Sequence, residues 1–341
     1  MRELVRKHIR ELVPYKSARS EFKGEAEVYL DANENPYDSQ FNRYRDPYQQ
    51  KLKERLASIR GLNKDKLFFG NGSDEIIDLL IRTFCEPKTD SILSCKPGFS
   101  MYRFAAELND IQHDEFELTS EFKIEWESFK MAVKPEHKLI FLCTPNNPTG
   151  NAIPIDVIKK VVEHAPGLVI VDEAYIDFSD IDSCLEHIDD KKLIVLQTFS
   201  KSFGSAGIRL GIGIMNPEIV QILNAVKLPY NVSESTQQLA NQLLDDYDKV
   251  IQSVLAIKGE REKVRQQLEE ITVVKKVHQS DANFLLVKFD KAKEVYQYLL
   301  NNGFIVRDRS NLLHCESCLR ITIGLPDENE RLLSLLKSYS K

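Results

Sequence analysis

The chain has 341 residues, of which 42% are hydrophobic and 29% charged, and its formal net charge at pH 7 is −6. This length suggests about two domains with a sizeable core, in a protein of ordinary globular composition. The net negative charge argues against nucleic acid or an anionic membrane as a partner of the whole protein, although a local basic pocket for a small anion stays possible.

The N-terminal residues "MRELVRKHIRELVPY" are amphipathic and charged. They lack the apolar centre of a signal peptide, and Glu3 and Glu11 argue against a transit peptide. No apolar run of membrane-spanning length occurs in the chain. We therefore expect a short helix that packs on the body of a cytoplasmic protein.

Short apolar runs alternate with helical patterns over the first two thirds of the chain. A helical pattern follows "GNGSDE", and the runs predicted as strands are 66–70, 138–144, 167–174, 192–198 and 211–215. Continuous apolar strands separated by helices predict an α/β fold with a mostly parallel central sheet flanked by helices. Ligands bind at the carboxyl ends of the strands in such sheets.

The pattern changes after residue 230. From Ser235 to about Ile271 the chain is charged and helical without a sustained heptad, which favours a helix pair bridging two domains over a coiled coil. "NFLLVKF", "FIVRDRS" and "CLRITIG" then indicate a smaller α+β domain. We predict an N-terminal arm over 1–30 that packs with the small domain, a large domain over 31–230 and a small domain over 231–341.

Six cysteines are scattered along the chain, which is typical of reduced thiols in a cytosolic protein. Cys315 and Cys318 form a single CxxC, and one such pair without a second is a weak metal or redox signal. We therefore predict no metal site.

Polar residues that are able to bind a ligand or take part in catalysis follow the predicted strands. Gly72, Ser73 and Asp74 precede a helix, where free N–H groups and the helix dipole favour a phosphate, although such residues also form ordinary caps. Asn147 lies in the unusual turn "CTPNNPTG", and Tyr175 follows Asp172. A carboxylate at the end of an apolar run, such as that of Asp172, needs a cationic partner or strong hydrogen-bond donors.

The stretch "TFSKSFGSAGIRLG" supplies two hydroxyls, an amine and a guanidinium, from Thr198, Ser200, Lys201 and Arg209. A lysine in a desolvated pocket beside cations has a lowered pKa and becomes a nucleophile towards carbonyls. Together with a buried carboxylate for a pyridinium nitrogen and donors for a phosphate, this is the set of groups that pyridoxal phosphate requires.

The motifs "DANENPY", "RYRDPY", "GNGSDE", "PGFSMY", "TPNNPTG", "VDEAYIDF", "TFSKSFGSAGIRLG" and "LRITIG" resemble those of the fold-type I, aspartate aminotransferase-like enzymes that use pyridoxal 5'-phosphate. The N-terminal motifs, "LVPYKSAR" among them, and the pair Arg307 and Arg320 make the chain most similar to the histidinol-phosphate aminotransferase family. The resemblance covers nearly the whole chain.

The resemblance implies a role for each matching residue. Lys201, Asp172 and Tyr175 match the catalytic positions, where Lys201 binds the cofactor aldehyde and moves the proton, and Asp172 keeps the ring nitrogen protonated. The cofactor-binding positions are matched by Gly72, Ser73, Asp74, Tyr102, Asn147, Asp172, Tyr175, Thr198, Ser200, Lys201, Arg209 and Tyr44. Among these, Tyr102 matches the aromatic residue that stacks on the ring, and Tyr44 a tyrosine that reaches the cofactor phosphate of the partner subunit in a homodimer. The substrate-binding positions are matched by Tyr15, Asn33, Arg307 and Arg320.

The function that the resemblance implies is exchange of an amino group between L-histidinol phosphate and 2-oxoglutarate, by a ping-pong mechanism in histidine biosynthesis. A decarboxylase of a phosphorylated amino acid and an aromatic amino acid aminotransferase are the alternatives on the same scaffold. A non-catalytic pyridoxal-phosphate sensor is a third hypothesis, against which the intact Lys201 and the substrate arginines argue.

Overall fold

The structure, a computed structural model, describes residues 1–13, 27–37, 39–187 and 191–339. Its larger sheet has the strand order β1-β7-β6-β5-β4-β2-β3. Only β7 runs antiparallel to its neighbours. The strands are β1 (Leu67–Asn71), β2 (Ser91–Lys96), β3 (Gln112–Glu117), β4 (His137–Cys143), β5 (Leu168–Asp172), β6 (Leu193–Thr198) and β7 (Leu210–Ile214).

Helices cover both faces of this sheet, which explains why its central strands are apolar along their whole length. Two buried clusters separate the sheet from the two helical layers. The helices that contribute to one or the other layer are α1 (Lys7–Arg10), α2 (Gln50–Arg60), α3 (Ser73–Phe84), α4 (Met101–Leu108), α5 (Trp126–Ala132), α6 (Ile155–His164), α7 (Pro217–Val226) and α8 (Glu234–Asp245).

A second, smaller sheet is formed by the C-terminal part of the chain. Its strand order is β10-β11-β9-β8, with every pair antiparallel. A separate apolar cluster lies between this sheet and its helices. The elements are α9 (Tyr247–Glu269), β8 (Val274–Val277), β9 (Phe284–Phe289), α10 (Ala292–Asn301), β10 (Arg307–Asp308), β11 (Cys318–Thr322) and α11 (Pro326–Tyr339).

The predicted α/β class with a mostly parallel central sheet is confirmed, and each of the five predicted strands lies within about two residues of its predicted bounds. β2, β3 and β8 were not predicted. The two sheets fall on either side of residue 230, and the predicted division into an arm and two domains stays a prediction.

The N-terminal residues pack differently from the prediction. The arm was expected against the small domain, but Val5 is 3% exposed within the cluster that covers the larger sheet. The Arg6 backbone N–H donates to the Thr83 carbonyl oxygen at 3.0 Å, and its Nη1 donates to the Arg82 carbonyl oxygen at 3.0 Å. Because the last carbonyls of α3 have no intrahelical partner, an arginine there satisfies them and complements the helix dipole.

No helix within the described ranges is both long and apolar enough to cross a membrane. All six cysteines lie in those ranges, and each is a buried free thiol. Cys315 and Cys318 belong to the core rather than to any cluster of metal-ligating side chains in the described part of the chain.

The backbone of β7 approaches the start of α3 closely at Gly211. A Cβ at this position would lie 2.2 Å from the Ser73 backbone nitrogen. We expect Gly211→Ala to lower the free energy of unfolding by about 1–3 kcal/mol, because backbone cannot move aside as a flexible side chain can. A Cβ on Gly259, in α9, meets nothing within 4 Å. Gly259→Ala is therefore the control, expected to raise stability by about 0.5–1 kcal/mol. Urea unfolding of both variants checks this, and equal effects would contradict the close approach.

Candidate active site

A cavity of about 480 Å³ lies at the carboxyl edge of the larger sheet. β1, β4, β5 and β6 end at this edge, and the antiparallel β7 begins there. The second sheet supplies the opposite wall through three arginines. The cavity brings together most of the predicted site residues: Ser73, Asp74, Asn147, Asp172, Tyr175, Thr198, Ser200, Lys201, Arg209, Arg307 and Arg320.

The carboxylate of Asp172 lies at the floor of this cavity. Asp172 is the last residue of β5 and is 2% exposed. Its Oδ2 accepts a hydrogen bond from the Tyr102 hydroxyl at 2.8 Å, and its Oδ1 accepts one from the Ala174 backbone N–H at 3.1 Å. Burial raises the pKa of this carboxyl, and the bond from Tyr102 opposes that rise. The carboxylate is therefore held in place but lacks a cationic partner among the described residues.

Tyr102 does not have the predicted position against a ligand ring. Its side chain is 2% exposed and its ring stacks on that of Phe141, with 4.7 Å between centroids. The hydroxyl is directed to Asp172 instead. The aromatic residue of the "PGFSMY" motif that lines the cavity is Phe99. The prediction for Tyr102 was wrong because the sequence offers two aromatic residues three positions apart and α4 turns the second one into the core.

Lys201 follows β6 and is half-buried in the cavity. Its Nζ lies 5.4 Å from the centroid of the Tyr175 ring. Burial lowers the pKa of this amine, and the positive charge of Arg320 lowers it further. A larger fraction of the amine is therefore neutral, which is the form that attacks a carbonyl or accepts a proton.

Two side chains beside Lys201 are fixed by contacts between the two sheets. Tyr175 packs edge-on against Phe284 of β9, with 5.2 Å between ring centroids. Arg320 of β11 donates a hydrogen bond from Nη1 to Oδ1 of Asn147. This bond engages the Asn147 oxygen and leaves its Nδ2 amide hydrogens available as donors. Burial lowers the pKa of Arg320 and raises that of the Tyr175 hydroxyl.

The start of α3 and the loop before β7 form a cradle of donors that suits an anion. Gly72 precedes α3 with a φ of +77°, and no side chain caps the helix N-terminus. The Gly72 N–H donates to the carbonyl oxygen of Arg209 at 2.7 Å. A Cβ on Gly72 would lie 2.5 Å from Nη2 of Arg209, so only glycine allows this approach. The Arg209 guanidinium pairs with the Asp74 carboxylate at 3.3 Å.

The hydroxyls of the β6 loop complete the cradle. Oγ of Ser200 accepts a long hydrogen bond from Nη1 of Arg209, at 3.5 Å. Thr198 donates its hydroxyl to the Leu210 carbonyl oxygen at 3.2 Å and accepts from the Ser200 N–H at 3.1 Å. The loop is thus folded back on itself, with Ser200 and Arg209 on the side that faces α3.

Besides Gly72 and Tyr102, two predicted residues within the described ranges do not line the cavity. Asn33 is exposed, with a φ of +54°. Tyr44 is 52% exposed, and its ring lies 4.7 Å from that of Tyr230. Tyr15 lies outside the described residues. Arg309, by contrast, lines the cavity and was missed, although its position two residues after Arg307 in "FIVRDRS" places both on one face of an extended segment.

A family model and curated relatives identify the family of this chain. The family described as "Aminotransferase class I and II" matches residues 21–336. The chain belongs to the class I and II aminotransferases. A curated histidinol-phosphate aminotransferase from Parabacteroides distasonis is 46% identical over 99% of the chain and 98% of its own length. One from Christiangramia forsetii is 45% identical over 98% of the chain and 97% of its own length.

Solved structures of aminotransferases have the same fold. Histidinol-phosphate aminotransferase from Clostridium acetobutylicum superposes with a TM-score of 0.80 at 26% identity, over 88% of this chain and 91% of that one. The enzyme from Sinorhizobium meliloti, in complex with pyridoxal-5'-phosphate, also gives 0.80, at 22% identity over 87% of this chain and 83% of that one. The predicted resemblance of this aminotransferase to the histidinol-phosphate aminotransferases is therefore confirmed. The two alternative activities, decarboxylation of a phosphorylated amino acid and aromatic amino acid transamination, are not favoured.

The buried carboxylate gives a testable effect on stability. Its raised pKa means that the folded state binds more protons than the unfolded one, in which an aspartate has a pKa of about 3.9. The stability of the cofactor-free protein therefore falls as the pH rises from the unfolded-state pKa of an aspartate towards the raised pKa of Asp172. We expect Asp172→Asn to be more stable than the wild type at pH 7, because the amide removes the cost of ionising a buried carboxyl.

The measurement is urea unfolding of both cofactor-free proteins between pH 4 and 8. The difference in free energy of unfolding should grow as the pH rises. A variant that is less stable than the wild type at pH 7 would contradict the absence of a cationic partner for Asp172.

Proposed function

We propose that this aminotransferase exchanges an amino group between L-histidinol phosphate and 2-oxoglutarate, with pyridoxal 5'-phosphate as its cofactor. The observation that carries the proposal is one cavity in which the amine of Lys201 and the carboxylate of Asp172 face arginines from the second sheet. The names of the curated relatives supply the substrate pair.

The residues of the cavity fit the proposed cofactor. The N-terminus of α3 and the Arg209 guanidinium suit its phosphate, because both offer N–H donors and positive charge. The buried carboxylate of Asp172 suits a protonated ring nitrogen. Phe99 suits a ring face, and Tyr175 and Asn147 suit an oxygen on the ring. When bound, the cofactor supplies an aldehyde for the substrate amine and a ring that accepts electrons from the substrate carbon.

Lys201 moves the proton in this proposal. Its Nζ accepts the proton from the carbon of the amino donor that bears the amine. In the second half of the reaction, Nζ returns a proton to the carbon of the acceptor that receives the amine. The lowered pKa of the amine serves this role, because a general base works best when its pKa lies close to the working pH. Asp172, whose carboxylate is held by Tyr102 and Ala174, would keep the ring nitrogen of a bound cofactor protonated, because its negative charge stabilises the protonated form.

The arginines of the second sheet bind the anionic ends of the substrates. Arg320 lies closest to the reaction centre, since it bonds Asn147 and its charge acts on Lys201. Its planar fork matches a carboxylate or a phosphate. Arg307 lies opposite Arg320 in the β10–β11 pair and extends the same positively charged wall. The predicted contribution of Tyr15 stays a prediction, as does that of Asn33.

A homodimer is part of the proposal. Tyr44 is largely exposed and packs on Tyr230 rather than into the cavity of its own subunit. That position is compatible with the predicted contact between Tyr44 and the cofactor phosphate of the partner subunit.

Absorption spectroscopy tests the proposed half-reaction. The purified protein with pyridoxal phosphate should absorb in the visible range, lose that band with L-histidinol phosphate, and regain it with 2-oxoglutarate. A band that does not respond would overturn the substrate pair but not the cofactor. Release of carbon dioxide without any need for a 2-oxo acid would replace the transferase by a decarboxylase.

Lys201→Ala tests the proton-transfer role. We expect amino transfer to fall by at least about 10³-fold, because no second lysine of the described residues lines the cavity to replace Nζ. Lys263→Ala is the matched control, since Lys263 lies in α9 with a largely exposed side chain. Steady-state rates of both variants with bound cofactor decide the outcome, and substantial activity in Lys201→Ala would contradict the role.

A further inference from the structure

Arg309 is a third guanidinium on the wall of the cavity that faces Lys201. Arg307 lies opposite Arg320 across the β10–β11 pair, and the Arg309 N–H continues the pairing by donating to the Cys318 carbonyl oxygen at 2.9 Å. Side chains alternate along an extended segment, so Arg307 and Arg309 share one face. All three arginines line the same cavity.

The side chain of Arg309 has unused donors. Its Nε is buried without a hydrogen-bond partner. A buried donor left without a partner costs about 1–3 kcal/mol. Burial and the charges of Arg320 and Arg307 also lower the pKa of this guanidinium to about 10. The cost of burying Nε of Arg309 without a partner indicates that its guanidinium binds a partner in the working enzyme.

The wall is not neutralised by the protein itself. Within the described ranges, no carboxylate forms an ion pair with Arg307, Arg309 or Arg320, whereas Arg209 across the cavity is paired with Asp74. A single carboxylate is fully engaged by one bidentate guanidinium. A phosphate monoester has three terminal oxygens and a charge of about −1.5 to −2, so it accommodates further guanidinium donors.

We infer that Arg309 is a specificity-determining residue that binds the phosphate of the phosphorylated substrate. The inference rests on the proposed function and deepens it. Arg320 is tied to Asn147, whereas Arg309, on the same wall, has a buried Nε without a partner. Arg309 therefore contributes to selection of the phosphate ester over its unphosphorylated counterpart, and contributes little to binding of the dicarboxylate partner.

The experiment compares Arg309→Gln with the wild type, both with bound cofactor. The substrates are L-histidinol phosphate, L-histidinol and 2-oxoglutarate. We expect kcat/KM for L-histidinol phosphate to fall by roughly 10- to 100-fold, mainly through KM. The values for L-histidinol and for 2-oxoglutarate should change by less than about threefold. Equal losses for L-histidinol phosphate and L-histidinol, or no loss for either, would overturn the inference.

Two further variants separate binding from folding. Arg309→Lys keeps the charge but loses the fork, so it should recover part of the discrimination between the two amines. Arg331→Gln is the control, because Arg331 lies in α11 over the Phe304 ring, outside the cavity. It should leave all three kcat/KM values unchanged. Loss of discrimination in Arg331→Gln as well would count against a specific role for Arg309.

Inorganic phosphate gives a readout that does not depend on turnover. With the cofactor bound, phosphate should raise the melting temperature of the wild type and of Arg331→Gln, and raise that of Arg309→Gln much less. If the wild type does not transfer an amino group from L-histidinol phosphate, the proposed function fails, and the phosphate shift still decides whether Arg309 binds phosphate. Equal shifts in all three proteins would overturn the inference.

Discussion

The buried carboxylate of Asp172 is the constraint on which the site depends. An ionised carboxyl at the end of an apolar strand is costly, and among the described residues two donors meet it, the Tyr102 hydroxyl and the Ala174 N–H. Neither donor carries a charge, so the position retains affinity for a cation that enters from the cavity. The sheet thereby places at its carboxyl edge a carboxyl group whose ionised form is stabilised when a cation enters the cavity.

The same constraint decides the placement of the neighbouring aromatic residues. Because Tyr102 must reach Asp172, its ring lies in the core against Phe141, and Phe99 faces the cavity. The sequence could not separate the two aromatics, since both belong to one short motif. Only the start of α4 at Met101 determines which of them points inwards.

Five strands of the larger sheet and the residues that follow them were predictable, because a strand buried on both faces shows as a nearly unbroken apolar run. β2 is equally buried, but the serines and the lysine of "SILSCK" interrupt its run. β3 and β8 escaped prediction since "QHDEFE" and "VKKV" carry the polar residues of partly exposed strands. Arg309 was not predicted as a cavity residue, because the side of the sheet on which it lies depends on the pairing of β10 with β11. A two-residue strand is too short to give a pattern that predicts this pairing. Arg6 contacts the end of α3 through backbone carbonyls, which leave no trace in side-chain patterns.

The loop between β6 and β7 carries both Lys201 and Arg209. Since these strands are antiparallel neighbours, with Thr198 opposite Gly211 and the Phe199 N–H bonded to the Leu210 carbonyl oxygen at 3.0 Å, the loop closes a hairpin. Contacts of short sequence separation form early and at small entropic cost. The spacing of the two cations is thus a local property of the chain, whereas Asp172 and Asn147 reach them only through parallel pairings that close longer loops. In this topology the relative placement of the two cations therefore costs less loop-closure entropy than the placement of the carboxylate beside them.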